Sequence, residues 1–379
     1  MKKVFYFSLA FLILVLIFLG AYNFIFRNNV NDPTVDQGKK AEAVKEKTTE
    51  TVQAISSILP SINESVMGVV IGSNDFLYYY SFDDKALKKA TLEGKDKVVL
   101  MSNLPGTPTR ILWSPKKDKA LLFLKQENGK SLWHFAELNT KTLVPLKEEI
   151  SRIAWDNLGE KIFYQYTDLV TQERTLNSAN PDGTGWKKLT VLNFETFIAP
   201  VPKSMDVAFW SRPNAFESTS LFRMNFSGDN RKSLLAEKFG ADYLWSPNGE
   251  KILVSMNSEK GGKAVSLGIM NASGGELKDL MLPTLISKVV WSRDSKTIYY
   301  ALPGSIPENS VLPNDYFEKP VYTKDTFWKM DITTGKKARL TELKEVTQGF
   351  DSIDLGLSSK EDTLFFTDRS TKRLYRIDL

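Results

Sequence analysis

One motif recurs along this chain at intervals that only a repeat architecture explains. Its best copies read apolar pair, Trp, Ser or Asp, then a turn: Ile111-Leu112-Trp113-Ser114-Pro115, Ile153-Ala154-Trp155-Asp156, Tyr243-Leu244-Trp245-Ser246-Pro247-Asn248-Gly249 and Val289-Val290-Trp291-Ser292-Arg293-Asp294. Degenerate copies anchored at Val70, Pro200 and Leu357 fill the gaps. The seven anchors at 70, 113, 155, 200, 245, 291 and 357 are spaced by 43, 42, 45, 45, 46 and 66 residues. A four-stranded propeller blade takes about 40–45 residues.

A second motif keeps the same period. Hairpin turns at Asn139-Thr140-Lys141, Asn180-Pro181-Asp182-Gly183, Asn225-Phe226-Ser227-Gly228, Asn271-Ala272-Ser273-Gly274 and Asp331-Ile332-Thr333-Thr334-Gly335 each separate two runs rich in β-formers. Each unit therefore reads strand A, Trp turn, strand B, loop, strand C, Gly turn, strand D. The fold class is all-β: a seven-bladed β-propeller of four-stranded antiparallel blades, with six blades as the alternative. A lone blade cannot bury both faces, and radial stacking covers them. The last copy stops at Arg376-Ile377-Asp378-Leu379, in the place of strand C, so the segment Thr51–Leu59 is expected to close the last blade.

The Trp-Ser-Pro-Asn-Gly-Glu-Lys-Ile block at 245–252 and the Asn-Pro-Asp-Gly-Thr-Gly-Trp-Lys-Lys-Leu-Thr block at 180–190 resemble the repeats of TolB-type propellers, relatives of WD-repeat proteins. The resemblance implies the fold and leaves function open, because such propellers serve as binding platforms, as lids on peptidases and as surface domains. TolB itself carries an α/β domain ahead of its propeller; here a different N-terminus stands in that place.

From Val4 to Phe26 no residue is charged, long enough to span a bilayer as a helix. Lys2 and Lys3 precede this run, which sets the N-terminus inside and the rest outside. The run outlasts the h-region of a cleaved signal peptide. The organisation expected is a cytoplasmic tip at 1–3, a transmembrane helix at 4–26, a polar stalk at 27–50 and the propeller at 51–379, in the periplasm or at the cell surface.

Fifty Lys and Arg against 45 Asp and Glu give a net charge of +5 spread along the chain, so a nucleic-acid partner lacks support. With no cysteine and one histidine, thiolate chemistry is excluded and His-based metal or triad chemistry has few candidates; no cofactor and no metal are expected. His134, within Ser131-Leu132-Trp133-His134-Phe135, reads as a packing residue. No Gly-x-Ser-x-Gly elbow is present.

Two sets of side chains are candidates for binding. Three residues before the anchors stand Arg110, Arg152, Asp242, Lys288 and Asp354, with Met67 and Phe197 in the other copies; strand A is innermost, so they should ring the channel mouth. They either grip a ligand or pair with one another. The Pro303–Lys324 insertion carries Tyr316, Phe317 and Tyr322 on the face of the long B–C and D–A loops, which include Tyr166–Gln172. The functional expectation is a membrane-anchored platform without catalysis that binds a protein or cell-envelope partner on this face. The alternatives are a glycosidase-like enzyme using loop carboxylates and a structural spacer.

Overall fold

The computed structural model describes residues 57–319, 321–342, 344 and 348–379. The predicted transmembrane helix, stalk and residues 51–56 lie outside them. No helix among the described residues is long and apolar enough to cross a membrane. The chain divides into two units, 1–53 and 54–379, and the described residues belong to the second.

Strand β1 (Ile58–Ile62) stands first. One sheet follows as β2 (Val66–Ile71), β3 (Phe76–Ser81), β4 (Ala86–Thr91) and β5 (Val98–Met101); a second as β6 (Thr107–Trp113), β7 (Lys119–Lys125), β8 (Ser131–Glu137) and β9 (Thr142–Pro145); and a third as β10 (Ile150–Trp155), β11 (Ile162–Thr167), β12 (Arg174–Ala179) and β13 (Lys187–Leu192). A seven-stranded sheet runs through β14 (Thr196–Pro200), β15 (Asp206–Ser211), β16 (Ser218–Asn225), β17 (Lys232–Trp245), β18 (Lys251–Asn257), β19 (Val265–Asn271) and β20 (Lys278–Leu282). Next come β21 (Val289–Trp291), β22 (Thr297–Leu302), β23 (Thr326–Asp331) and β24 (Lys337–Arg339), with helix α1 (Asn314–Glu318) between β22 and β23. The last sheet is ordered β1, β27 (Leu374–Asp378), β26 (Thr363–Asp368) and β25 (Ser352–Leu357). Neighbouring strands are antiparallel throughout. The architecture is that of a β-propeller, with six hydrogen-bonded sheets, or seven if the halves of β17 are taken apart. The first strands of neighbouring sheets lie against one another, β2 on β6 and on β25, and β10 on β14, which makes them the inner wall.

The repeated residues have structural work to do. After four of the seven anchors a serine hydroxyl accepts the backbone N–H five residues on, from Lys119 to Ser114, Lys251 to Ser246, Thr297 to Ser292 and Thr363 to Ser358, closing the A–B turn. The Trp113 and Trp155 indoles donate to the carbonyls of Gly68 and Leu112 on the preceding inner strand, at 2.7 and 2.8 Å. Apolar clusters fill the space between sheets, as where Tyr78, Tyr80 and Leu87 meet Trp113 and Leu122.

The fourfold pattern departs from expectation at β17, whose 14 residues end one set of four strands and begin the next. Gly240 makes the join. Its φ is +60°, and a Cβ there would lie 2.0 Å from Asn257 Oδ1, so only glycine lets the strand pass.

The ring is closed by Ile58–Ile62 on β27, with Ile58 opposite Ile377 and Leu59 opposite Arg376. Glu64, between β1 and β2, is buried and accepts hydrogen bonds from Tyr79, Ser81 and Lys88, with Lys97 Nζ at 2.8 Å. Burial pushes its pKa up, but those four partners win and hold it at about 2. The stabilisation is complete above an unfolded pKa of about 4.5 and is lost as the pH falls toward 2. Glu64→Gln is expected to cost about 2–3 kcal/mol at pH 7 and almost nothing at pH 2. Urea unfolding at both pH values checks this, and an equal cost at the two would show that the charge is irrelevant.

Candidate active site at the channel mouth

The ring positions found in the sequence coincide with irregularities in the inner strands. The register shifts between Met67 and Val70, Pro108 and Arg110, Ile150 and Arg152, Phe239 and Asp242, and Ile353 and Gly356. An extra residue turns a side chain away from the sheet face, which is how bulges present functional groups. Arg110, Arg152, Asp242 and Asp354 all stand at such shifts; Asp354 itself has φ +53°.

Arg152, Phe197 and Asp242 are linked along the wall, with Arg110 near Arg152. Arg110 is open to solvent within the channel, and burial among its neighbours, then the nearby Arg152 charge, lower its pKa. Arg152 binds Glu195 Oε1 through Nε at 2.9 Å and Nη2 at 2.6 Å, and its guanidinium lies over the Phe197 ring at 4.7 Å. Phe197 stacks on Trp210 with centroids 6.1 Å apart, and the Trp210 indole donates to Asp242 Oδ1 at 3.0 Å. Burial pushes the Asp242 carboxyl up to about 6, against the Tyr243 N–H and the Trp210 indole, which hold it down. Burial also raises the Asp354 carboxyl, with Lys372 opposing. Below the mouth a cavity of about 500 Å³ is lined by inner-strand residues of four sheets, among them Val70, Arg110, Trp155 and Ile198, with Lys117 and Asp156.

Lys288 does not line the mouth. It is fully buried and bonds Asp325 Oδ2 at 2.7 Å, Asp351 Oδ1 at 2.8 Å and the Ser352 carbonyl at 2.9 Å. Where its sheet would bulge, a short 3-10 turn at Ile286–Lys288 points the side chain at the last sheet instead. The expected ring is thus split into a polar wall and a closed ionic knot.

The insertion is docked by that knot. Tyr316 on α1 is buried, donates to Asp351 Oδ1 at 2.7 Å and lies under the Arg369 guanidinium at 4.2 Å. Burial, then the Asp351 charge, push its phenol above the usual range. Phe317 and Tyr322 are exposed, and Arg369 lies 5.2 Å from the Tyr322 ring. The segment also meets the fourth and fifth sets of strands, through Asn314 to Asn214 and the Leu312 carbonyl to Asn257. Between α1 and Glu195 a cavity of about 220 Å³ remains. Sequence reading missed Glu195, Asp325, Asp351 and Arg369, because none repeats from blade to blade. His134 is buried, its Nδ1 is 3.2 Å from the Leu132 carbonyl, and burial lowers its pKa.

No protein-family model matches the chain. The uncharacterized peptidase YuxL of Bacillus subtilis is 32% identical over 126 residues, 29% of this chain and 19% of the relative, so the chain spans less than a fifth of it. An oligogalacturonate lyase solved in complex with manganese superposes with a TM-score of 0.60 at 14% identity, covering 86% of this chain and 90% of that one. The oligogalacturonate lyase of Vibrio parahaemolyticus gives 0.59 at 11% identity, covering 85% and 91%. TolB-like and WD-repeat-like propellers are among the structural neighbours too. At these identities the likeness is one of fold.

These neighbours correct one expectation. The sequence reads as a platform without catalysis, yet enzymes share its fold over nearly the whole described chain, and its sequence relative is named a peptidase. The misreading has a physical origin: a propeller site is assembled from different blades, so it leaves no contiguous motif. The lyase's manganese does not carry over. Among the described residues no three His, Cys, Asp or Glu side chains are grouped to hold an ion, and the single histidine is a buried packing residue.

Proposed function

We propose that this protein is a carbohydrate-active propeller of seven blades that cleaves a uronate-containing polysaccharide at its channel mouth. It is held at a membrane by residues 4–26, with the propeller outside the cytoplasm, where acidic envelope glycans are its substrates. The observation that carries the reading is a pair of neighbouring guanidiniums, Arg110 and Arg152, on one wall with a carboxyl raised to about 6. Arg152 already holds the Glu195 carboxylate, whereas Arg110 beside it has no carboxylate partner among the described residues, so Arg110 is the guanidinium left to take an anion, and a sugar carboxylate supplies it. The fold shared with oligogalacturonate lyases is the second support.

The chemistry follows from the charges. Once Arg110 neutralises the uronate carboxylate, the proton on C5 becomes acidic enough to remove. Asp242, ionised at neutral pH yet basic for a carboxylate, is the proton acceptor of this wall; the Phe197 and Trp210 rings lie between it and Arg152, so the uronate has to be held from the Arg110 side for its C5 proton to be taken there. The electron pair forms the C4–C5 double bond, the C4–O4 bond breaks, and the departing oxygen takes a proton from solvent. Hydrolysis is the second reading: a glycosidase needs one carboxyl raised as the acid and a second, ionised carboxylate as base or nucleophile, and Asp242 and Asp354, both raised by burial, are candidates for the acid.

Incubation with polygalacturonate and with neutral glycans tests both. Elimination generates ultraviolet-absorbing unsaturated ends from the acidic polymer; hydrolysis generates reducing ends without that absorbance. Arg110→Ala with Arg152→Ala is expected to lower kcat/KM on the acidic polymer at least a hundredfold with the melting temperature retained. Absence of both products from a panel of polyuronates overturns the proposal.

A further inference from the structure

The third sheet carries a second feature that the channel does not use. In its register Tyr164 faces Asn177, Tyr166 faces Thr175, and Asn177 faces Lys188. Side chains alternate along a strand, so these residues share one sheet face with Trp186 and Glu173. Together with Lys147, which follows β9 of the preceding sheet, they enclose a cavity of about 260 Å³, smaller than drug-sized sites and suited to one or two sugar rings.

We infer that this cleft binds an anionic saccharide, a uronate unit of an oligosaccharide chain. Trp186 is 59% exposed, a large flat apolar surface displayed beside a tight turn. The ammonium of Lys147 lies 5.7 Å from the centroids of both the Trp186 and Tyr166 rings. The cleft's acids are already engaged: Glu173 accepts from Lys188 at 2.5 Å, and Asp168 accepts the backbone N–H groups of Val170 and Thr171 at 2.9 and 2.8 Å. Two lysines and two carboxylates line the cleft, so it carries no net charge; but Glu173 is paired with Lys188 and Asp168 is held by its own loop, whereas Lys147 has no carboxylate partner among the described residues and is the cation left to meet an anion. The floor is polar, with Thr175 and Asn177 buried and joined by a 2.9 Å hydrogen bond. A sugar ring on Trp186, its carboxylate on Lys147 and its hydroxyls toward that floor use each of these features.

The cleft stands on its own residues and does not need the channel to be catalytic. Its test is calorimetric titration of the full chain with trigalacturonate and with neutral galactotriose, read in the Arg110→Ala, Arg152→Ala background so that the channel does not contribute. Binding of the acidic trisaccharide is expected to persist there. Adding Trp186→Ala should weaken it at least tenfold. Adding Lys147→Ala should remove the preference over galactotriose, and Lys147→Arg should keep it. Both side chains are exposed, so unchanged melting temperatures are expected. Binding that ignores Trp186→Ala, or equal affinity for the acidic and neutral sugars, overturns the inference, as does a failure to bind trigalacturonate. Turnover without cleft binding upholds the channel alone; cleft binding without turnover upholds the cleft alone.

Discussion

Lys288→Met should destabilise the propeller by about 3–5 kcal/mol, the largest effect expected of any single replacement of a charged residue here. The ammonium lies against two carboxylates and a carbonyl, and it and both carboxylates are excluded from solvent. Without it, Asp325 and Asp351 are left facing each other, with Arg369, whose Nε is 2.9 Å from Asp351 Oδ2, as the remaining nearby cation. The cost arises from the uncompensated charge rather than from lost attraction. Combining Lys288→Met with Asp325→Asn and Asp351→Asn should therefore recover most of the loss. Tyr316→Phe removes one hydrogen bond from the knot and should cost only about 1–2 kcal/mol. Chemical unfolding of the variants measures each step, and a single Lys288→Met variant that unfolds at the same denaturant concentration as the parent would falsify this account.

The second large effect pairs a loss with a gain. Asp242→Asn should lower turnover of an acidic polysaccharide at least a hundredfold, since a positioned proton acceptor contributes about 10²–10⁴. The same change should stabilise the fold at pH 8. The native carboxyl titrates near 6 and the unfolded one near 3.8, so its ionisation opposes folding progressively as the pH rises through that window and fully above it. Asparagine retains an oxygen for the Trp210 and Tyr243 donors without the charge. The expected gain is about 1–3 kcal/mol at pH 8, vanishing below pH 3.8. Melting curves across that range decide the point: a variant less stable than the parent at pH 8 means that the carboxylate is structural.

Much of the fold is legible because the sequence repeats what each blade needs. A serine that closes the A–B turn recurs, and so does the tryptophan before it, whose indole at 113 and 155 reaches the neighbouring inner strand. The site is legible only in outline. Spacing places Arg110, Arg152 and Asp242 on the inner wall, but the register shifts that aim them depend on pairing partners that spacing does not reveal. The same spacing puts Lys288 in the ring; its burial depends on Asp325 and Asp351, which occur once each. Tyr316 reads as a binding residue because it sits in a long loop, and it is an anchor because Asp351 and Arg369 stand beneath that loop. The Trp186 cleft is hidden for a related reason. It belongs to one blade, and a period does not reveal what occurs once.

The strand that closes the ring also sets an order of assembly. Ile58 is made among the first residues of the propeller and its partner Ile377 among the last. Until β27 has been made, every finished sheet has neighbours but the circle has no final seam, and the β1 segment has nothing to pair with. A ribosome stalled anywhere before β27 leaves an open arc with unpaired edges, the kind of intermediate that aggregates. The seam therefore stays open for as long as the sheets between its two strands take to be made.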